Sequence, residues 1–189
     1  YKDGTRGKKL KELYQITNSS TEVLFIERCI NLLKPSAIAG IVLPEGIFDN
    51  RALEKVRNFI EKKARILNIT SIPADVFLSS GANIKPSLLF IRKYREDELP
   101  DTDYLLSVNN VKDAGISSTG FPSDNKELPV AATEIRSWIE GQPRENMQYT
   151  KIVHRSELSN WRIRHLFETE KVKFNPLYQT VKLEVIMVL

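Results

Sequence analysis

The chain has 189 residues, of which 41% are apolar and 28% are charged, a composition that allows a buried core and argues against wholesale disorder. Its net charge of +4 permits a polyanionic partner without requiring one, and its single cysteine excludes an internal disulfide framework and a multi-cysteine zinc site. No apolar run reaches the ~18 residues that a membrane-spanning helix needs, and no signal-peptide pattern opens the chain. We therefore expect a cytoplasmic protein that does not associate with a membrane.

The amino-terminal part of the chain is polar up to residue 18 and then predicts a helix. Residues 1–18 are lysine-rich and are interpreted as a solvated loop, with a basic segment near a phosphate backbone as the alternative. The start at Tyr1, without a methionine, suggests a fragment. Ser19 and Glu22 have the spacing of a capping box, and Lys34-Pro35 ends the helix. The predicted apolar face consists of Val23, Phe25, Ile26, Cys29, Ile30, Leu32 and Leu33.

An apolar run from Ala37 to Leu43 predicts the first strand. The run does not alternate between polar and apolar residues, so we expect a strand that is buried on both faces in a parallel sheet. Pro44 and Glu45 follow it, at the end where open α/β sheets bind ligands. Glu45 could face a substrate there, although a solvated turn carboxylate is the preferred interpretation. Asp49 or Asn50 would cap the next helix, which would turn Leu53, Val56, Phe59 and Ile60 to the sheet and Arg51, Lys55, Arg57, Lys62 and Lys63 to solvent.

Two further strands, in residues 66–73 and Ser87–Lys93, are joined by a loop of roughly a dozen residues. A hairpin does not need so long a connection, and long loops at the functional edge of a sheet often carry function. Phe77 stands in this loop and either anchors it in the core or offers a flat surface on which a nucleobase could stack. Lys85 could contact a phosphate, while Gly81 would let the backbone approach a ligand closely. The residues alone leave these alternatives open.

The rest of the chain predicts shorter elements. Tyr104–Val108 has the pattern of a short strand, residues 117–126 are rich in turn formers, and Thr133–Trp138 has helical character. Residues 143–146 form a candidate linker. The chain ends in the apolar run Val185–Leu189, which suggests truncation or docking on a partner.

Four stretches carry a resemblance to a known family, and they are Glu22–Pro35 (EVLFIERCINLLKP), Ile41–Phe48 (IVLPEGIF), Leu53–Ile66 (LEKVRNFIEKKARI) and Phe77–Lys93 (FLSSGANIKPSLLFIRK). In this order they resemble the adenine-specific DNA methyltransferases that form the modification subunit of type I restriction-modification systems. Residues 118–129 are similar to a diverged turn-plus-acidic stretch that follows the methyltransferase fold in those subunits.

The resemblance implies an α/β chain with the C-terminal part of a Rossmann-like, S-adenosylmethionine-dependent methyltransferase sheet and a C-terminal extension. The chain would supply the last three of seven strands, with the final pair antiparallel; these strands are Ala37–Leu43, Arg65–Ile72 and Ser87–Lys93. Residues 1–128 would then be the C-terminal half of the methyltransferase domain. Residues 129–189 would be a helical or linker extension towards a specificity or assembly region.

The resemblance also implies where the target base would bind. Such enzymes flip the adenine out of the duplex, because its exocyclic amine cannot be reached inside the stack, and they stack it on an aromatic residue between the last two strands. Phe77 occupies that place. The expected DNA contacts are Ser80, Gly81 and Lys85, and the expected pocket edge is Pro44 and Glu45.

The family's donor-binding glycine-rich turn and its Asn/Asp-Pro-Pro-aromatic catalytic motif have no counterpart in this sequence. S-adenosylmethionine would therefore be bound mainly by a part of the fold that is absent from this chain. Asn175-Pro176-Leu177-Tyr178 is interpreted as non-catalytic, because leucine replaces the second proline and no cofactor half follows it. We predict no catalytic and no metal-binding residue: Cys29 is expected to be a reduced core residue, and His154 and His165 to be surface residues.

Two functions remain open at this point. The chain could be part of a site-specific DNA adenine methyltransferase, acting at the N-6 position in a restriction-modification system. Alternatively, it could be a non-catalytic DNA-binding or subunit-assembly module derived from that fold. The expected partners are double-stranded DNA and either the specificity and restriction subunits or the missing methyltransferase half, with a homo-oligomer as a further option.

Overall fold

The structure is a computed structural model of the chain, and it describes residues 14–16 and 20–168. The helices in this part of the chain are α1 (Thr21–Leu32), α2 (Gly46–Asp49), α3 (Glu54–Lys63) and α4 (Glu127–Ile139). The strands are β1 (Ile38–Pro44), β2 (Ala64–Ser71), β3 (Pro86–Lys93), β4 (Leu105–Asn110) and β5 (Thr150–His154). None of the described helices is long and apolar enough to cross a membrane. The predictions for Ser19, Asn175–Tyr178 and Val185–Leu189 lie outside the described residues.

The strands form one mixed, five-stranded sheet in the order β1-β3-β2-β4-β5. Strand β3 pairs antiparallel with both β1 and β2, β4 runs parallel to β2, and β5 is antiparallel to β4. The α/β class and the antiparallel pairing of β2 with β3 are therefore confirmed. Since β1, β2 and β4 point the same way, their carboxyl ends meet at one edge of the sheet.

One face of the sheet holds the main core. Helices α1 and α3 turn their apolar residues into it, and the strands contribute the residues that alternate onto that face. The fully buried members include Val23, Ile26, Ile30, Val56, Ile60, Ile66, Leu89, Ile91 and Leu106. This confirms the predicted inward positions of α3, where Leu53 and Phe59 also pack against the core although they are only partly buried.

Strand β1 differs from the prediction of a strand buried on both faces. It lies at the end of the sheet and pairs only with β3, so its other edge has no partner strand among the described residues. Its burial alternates: Ile41 and Leu43 are buried, whereas Ile38 and Val42 are 47% and 51% exposed. The unbroken apolar sequence therefore reflects a second apolar face that the described part of the chain does not cover.

Helix α1 also departs in part from its predicted apolar face. Val23, Ile26 and Ile30 are buried, but Phe25 and Leu32 are 57% and 67% exposed. The helix ends just before Lys34-Pro35, as predicted, but the sequence did not reveal the contact that completes this end. Lys93 on β3 sends its Nζ to the carbonyl oxygens of Ile30 at 2.9 Å and of Leu33 at 2.7 Å, which places a cation at the negative end of the helix. Ser20 occupies the N-cap position.

Arg57 was expected to face solvent, and this prediction is wrong. Its side chain is buried and donates from Nη1 to the carbonyl oxygens of Ile47 at 2.8 Å and of Asn50 at 3.0 Å. Burial lowers the pKa of the guanidinium, while the carboxylates of Glu54 and Asp49 act in the opposite direction. Arg57 thus links α3 to the short helix α2. Its place in a run of charged residues did not reveal this role.

The second face of the sheet is polar where α4 covers it. The Asn68 amide on β2 donates to Ser107 Oγ at 2.8 Å and to Asn109 Oδ1 at 2.7 Å, and Asn109 donates to Thr150 Oγ1 at 2.6 Å. Thr150 in turn donates to Glu134 Oε2 of α4 at 2.7 Å.

Helix α4 confirms the predicted helical character near Thr133–Trp138, whereas β5 was not predicted. The sheet continues across the predicted domain boundary at 128/129, and the boundary itself stays a prediction.

The segment after β5 returns to the main core. Trp161 is 1% exposed, its ring meets that of Phe48 edge-on at 6.0 Å, and its indole Nε1 donates to Glu61 Oε1 at 2.8 Å. Arg155 also donates to Glu61 Oε1, at 2.5 Å. These contacts tie residues 155–161 to the helices that flank β1 and β2.

Candidate functional site

The candidate site lies at the sheet edge where β1, β2 and β4 end. Pro44-Glu45 follows β1, Ser71 closes β2 and Asn110 closes β4. Strand β3 starts at the same edge, so Lys85 precedes it there. Ligands of open α/β sheets bind at this edge because the loops that follow parallel strands converge on it.

The loop between β2 and β3 is ordered by a 3-10 helix, Ala74–Ser80, which the sequence did not predict. Gly81 ends this helix with a φ of 81°, a left-handed conformation that favours glycine. Its amide donates to Leu78 O at 2.9 Å, and the amide of Ala82 donates to Phe77 O at 3.1 Å. The turn itself therefore requires glycine at position 81, whereas the sequence suggested that Gly81 lets the backbone approach a ligand.

Phe77 is 38% exposed and lies outside the core cluster. Core anchoring, one of the two interpretations left open by the sequence, does not describe its environment. The adjacent apolar side chains are exposed as well, Leu78 at 43% and Ile84 at 55%. The role of Phe77 in base stacking stays a prediction.

A second loop supports the first one. Residues 115–123 fold back through a bridge between Ile116 and Pro122, and Gly120 sits at their tip with a φ of 86°. A Cβ on Gly120 would lie 2.9 Å from Ser79 Cβ, so only glycine permits this approach. Phe121 next to it is 71% exposed. The sequence showed these residues only as a turn-rich stretch.

Glu45 is held in place at the end of β1. It accepts a hydrogen bond from Ser87 Oγ at 2.5 Å, and its carboxylate lies 3.6 Å from Lys85 Nζ. Its backbone amide donates to Lys85 O at 2.9 Å. Glu45 thus lies in a turn, as the preferred interpretation has it, but its partly exposed carboxylate is paired rather than freely solvated. The structure brings Pro44, Glu45 and Lys85 together, whereas Ser80 and Gly81 lie exposed further along the loop.

Two cavities open at the same edge. One, of about 510 Å³, lies between the ends of β2 and β4 and includes Ser71, Lys85, Lys112 and Arg164 in its lining. The other, of about 400 Å³, adjoins Glu45 and shares Arg164 with the first. Lys112 and Arg164 were not among the predicted site residues. Their signals were a lysine just beyond a predicted strand and the basic run Arg162-Ile163-Arg164-His165.

Nucleophilic and metal chemistry finds little support in the described residues. No group of three or more His, Cys, Asp or Glu side chains among them could hold a metal ion. Cys29 is a free, partly buried thiol packed against the core, and desolvation raises its pKa, the opposite of an activated nucleophile. His154 and His165 are exposed, and His154 Nδ1 lies 3.4 Å from Asp103.

The methyl donor of the family that the sequence resembles is S-adenosylmethionine. The family resemblance places the donor on a glycine-rich turn after a strand, and no described strand is followed by such a turn. Gly46 alone comes close after β1, but it begins helix α2. The carboxylate that precedes it, Glu45, is already engaged with Ser87 and Lys85. The candidate site is therefore a loop-lined edge with an exposed aromatic ring and basic side chains.

The described residues form a mixed α/β sheet in which the antiparallel strand β3 lies between the parallel strands β1 and β2. A family model described as N-6 DNA Methylase matches residues 2–162, and the chain belongs to this family. A search of curated proteins gave no match.

Solved structures with the same fold support this class. A chain of a type I R-M system complex matches with a TM-score of 0.60 and 19% identity, over 78% of this chain and 31% of that one. A candidate class I S-adenosylmethionine-dependent methyltransferase from Listeria monocytogenes matches with a TM-score of 0.50 and 26% identity, over 73% of this chain and 39% of that one. A modification subunit of a candidate type I restriction enzyme from Vibrio vulnificus YJ016 matches with a TM-score of 0.54 and 18% identity, over 74% and 28%. The chain thus spans between about a quarter and two fifths of these structures.

Proposed function

We propose that the chain is part of a site-specific DNA adenine methyltransferase of a restriction-modification system, which methylates the N-6 position with S-adenosylmethionine as the donor. Within that enzyme it supplies one wall of the target-base pocket. The observation that carries the proposal is the exposed ring of Phe77, on an ordered loop at the carboxyl edge, in a chain of the N-6 DNA methylase family. A flipped adenine stacks on this ring, while Pro44 and Glu45 border the pocket and Ser80, Gly81 and Lys85 contact the DNA.

The donor and the reacting amine are bound by an upstream half of the same domain. S-adenosylmethionine supplies the methyl group when bound there. The residues of this chain position the base, and the ordered turn at Gly81 and the contact of Gly120 with Ser79 keep Phe77 in place without the ligand. Such preorganisation lowers the cost of binding a base in one orientation.

The uncovered side of β1 supports an upstream half. The strand has a free edge among the described residues, and Ile38 and Val42 leave an apolar strip on a part of the second sheet face that α4 does not cover. Strand edges and apolar strips of this kind are normally covered. The upstream half pairs with this edge, and the specificity and restriction subunits and double-stranded DNA are the further partners of the complete enzyme.

The same surface supports a second candidate function. A chain that kept the base-contacting loop and the docking edge could act as a non-catalytic DNA-binding or subunit-assembly module. In that case it would bind DNA or a methyltransferase partner without forming a donor site. The two functions differ in whether methyl transfer appears when the upstream half is present.

The test is binding of labelled S-adenosylmethionine and methyl transfer to an adenine-containing duplex, by the chain alone and with its upstream half. We expect donor binding and transfer only with both halves. Donor binding by the 189-residue chain alone would contradict our assignment of the donor site, and no transfer by the combined halves would favour the assembly module.

Substitution of Phe77 tests the role of the ring in the combined halves. Stacking on an aromatic ring contributes ~1–3 kcal/mol, so Phe77→Ala should lower methyl transfer by about five- to 150-fold while leaving donor binding intact. Phe121→Ala is the matched control, since this exposed ring lies on the supporting loop. An equal loss in both variants would contradict the assignment of the base to Phe77.

A further inference from the structure

The cavity of about 510 Å³ between the ends of β2 and β4 is separate from the proposed base-stacking surface, because Phe77 does not line it. Its size is in the range of pockets that bind small molecules or parts of larger ligands. Its lining combines apolar side chains, including Ile72 and Phe167, with charged ones. It therefore has room for an anionic group together with the carbon skeleton attached to it.

The charge of the cavity is predominantly positive. Lys85, Lys112 and Arg164 line it, against a single lining carboxylate, Glu168, while Lys85 Nζ also lies 3.6 Å from the Glu45 carboxylate outside the lining. Glu168 lies 3.9 Å from Arg164 in an exposed pair, and exposed pairs of this kind contribute little. Lys112 has no ion pair within the described residues. The cavity thus retains positive charge that an anion would neutralise.

Ser71 gives the cavity an unsatisfied polar group. It lines the cavity and is 2% exposed, and its buried Oγ has no hydrogen-bond partner in the described part of the chain. Buried hydroxyl groups are normally hydrogen-bonded, so a missing partner calls for an explanation. An oxygen of a bound ligand would provide that partner at the point where β2 ends.

We propose that this cavity binds a phosphodiester group of the DNA strand, beside the nucleotide whose base stacks on Phe77. The proposal rests on the proposed function and extends it to the backbone of the substrate. Lys85, Lys112 and Arg164 neutralise the phosphate, Ser71 donates to one of its oxygens, and Ile72 and Phe167 face the sugar. Lys85 closes the loop that carries Phe77, so binding of the phosphate also fixes the register of the strand on the base site.

The test is the affinity of the 189-residue chain for a fluorescein-labelled adenine-containing duplex, measured by anisotropy between about 50 and 200 mM salt. Lys112→Ala and Arg164→Ala should each weaken binding and lower the slope of log affinity against log salt by about 1. Ser71→Ala removes one hydrogen bond and no charge, so it should weaken binding about five- to tenfold with an unchanged slope. Its fold should be unharmed, because the hydroxyl has no partner to lose.

The matched controls are Lys55→Ala and Arg136→Ala, which remove exposed cations from α3 and α4 away from the cavity. If they reduce the slope as much as the cavity variants do, the proposal is overturned. Inorganic phosphate that competes at micromolar concentration would also overturn it, by assigning the cavity to a small free anion. Wild-type binding by the cavity variants together with weak binding by Phe77→Ala would overturn this proposal and leave the proposed function intact.

Discussion

Three buried carboxylates hold loops of this protein by accepting backbone hydrogen bonds. Glu27 accepts from the amides of Gln15 and Ile16, at 2.6 and 2.9 Å. Glu127 accepts from the amides of Lys112 and Asp113, at 3.0 and 3.2 Å. In each case the charge of a helix side chain is compensated by amide donors of a neighbouring loop, which would otherwise lack partners.

Glu134 is the third of these carboxylates, and it binds the chain just before β5. It accepts from the amide of Gln148 at 2.6 Å and from that of Tyr149 at 3.1 Å, in addition to the Thr150 hydroxyl. The sequence gives no sign of these roles, because a glutamate on an amphipathic helix usually faces water. Only the positions of the loops show which glutamates point inwards.

The ionisation of Tyr104 makes the folding stability of the protein fall at alkaline pH. Burial raises its pKa to about 12, and its hydroxyl oxygen accepts a hydrogen bond from the amide of Ile66 at 3.1 Å. In the unfolded chain the phenol ionises near pH 10. Its contribution to stability is therefore complete below pH 10 and is lost between pH 10 and 12, by about 1.4 kcal/mol for each pH unit.

Urea unfolding at a series of alkaline pH values measures this effect. Tyr104→Phe should flatten the loss of stability between pH 10 and 12, while costing about 1–3 kcal/mol at neutral pH because the Ile66 amide loses its acceptor. Tyr94, whose pKa burial also raises, is the matched control, since Tyr94→Phe leaves the Tyr104 contribution in place. An alkaline loss that is unchanged in Tyr104→Phe would contradict the assignment.

At the scale of elements, Trp161 is the largest of the buried side chains that hold the segment after β5. Trp161 fills the space beside Phe48 and donates to Glu61, and its backbone amide donates to Phe48 O at 3.1 Å. Trp161→Ala should lower the free energy of unfolding by about 3–5 kcal/mol, because it leaves a cavity and removes one of the two hydrogen bonds to Glu61 Oε1. Ser159→Ala, at an exposed position of the same segment, should change it by less than about 0.5 kcal/mol. Similar unfolding midpoints for the two variants in urea would show that the segment does not depend on the indole.

The sequence predicted most of the strands that form the carboxyl edge, but fewer of the segments around them. The strands at 38–44, 64–71, 86–93 and 105–110 were all found within about two residues, since each is a short apolar run bounded by turn formers. Strand β5 was missed because Thr150–His154 has a single pronounced apolar pair and pairs with a strand more than 40 residues earlier, as the bond from Asn109 to Thr150 with a separation of 41 shows. Long-range pairing of this kind leaves no local pattern.

The same contrast between local patterns and long-range contacts applies to the candidate site. Phe77 and Lys85 were predicted because they lie in the long loop, and Glu45 because it follows the first predicted strand. Lys112, which follows β4, and Arg164, which the chain brings back after β5, meet Lys85 only in the folded structure. The exposed second face of β1 was misjudged for a related reason. The sequence of an apolar strand does not show whether the layer that covers its second face comes from the described residues or from elsewhere.

For the molecule as a whole, we expect the edge of β1 that no described strand covers to be the place where the upstream half associates. Ile38→Lys with Val42→Lys should leave the stability of the chain within about 0.5 kcal/mol per residue, because both side chains are about half exposed. The same change should abolish assembly with the upstream half, because two ammonium groups would be buried in an apolar contact. Co-purification of the two halves measures the assembly, and Leu105→Lys, at a position 43% exposed on β4 and away from β1, is the matched control. Wild-type assembly by the double variant would exclude β1 as the docking edge.

The bonds of Glu134 to residues 148–150 have a consequence for what the chain can tolerate. They anchor the far end of the connection between α4 and β5, while residues 140–146 in its middle are exposed. The geometry of the two elements is therefore independent of the length of the loop that joins them. Doubling a flexible loop costs only about 0.6 kcal/mol of closure entropy. This connection is a permissive insertion point, where a foreign peptide, a fluorescent domain or a fusion partner can be carried without disturbing the carboxyl edge on the sheet.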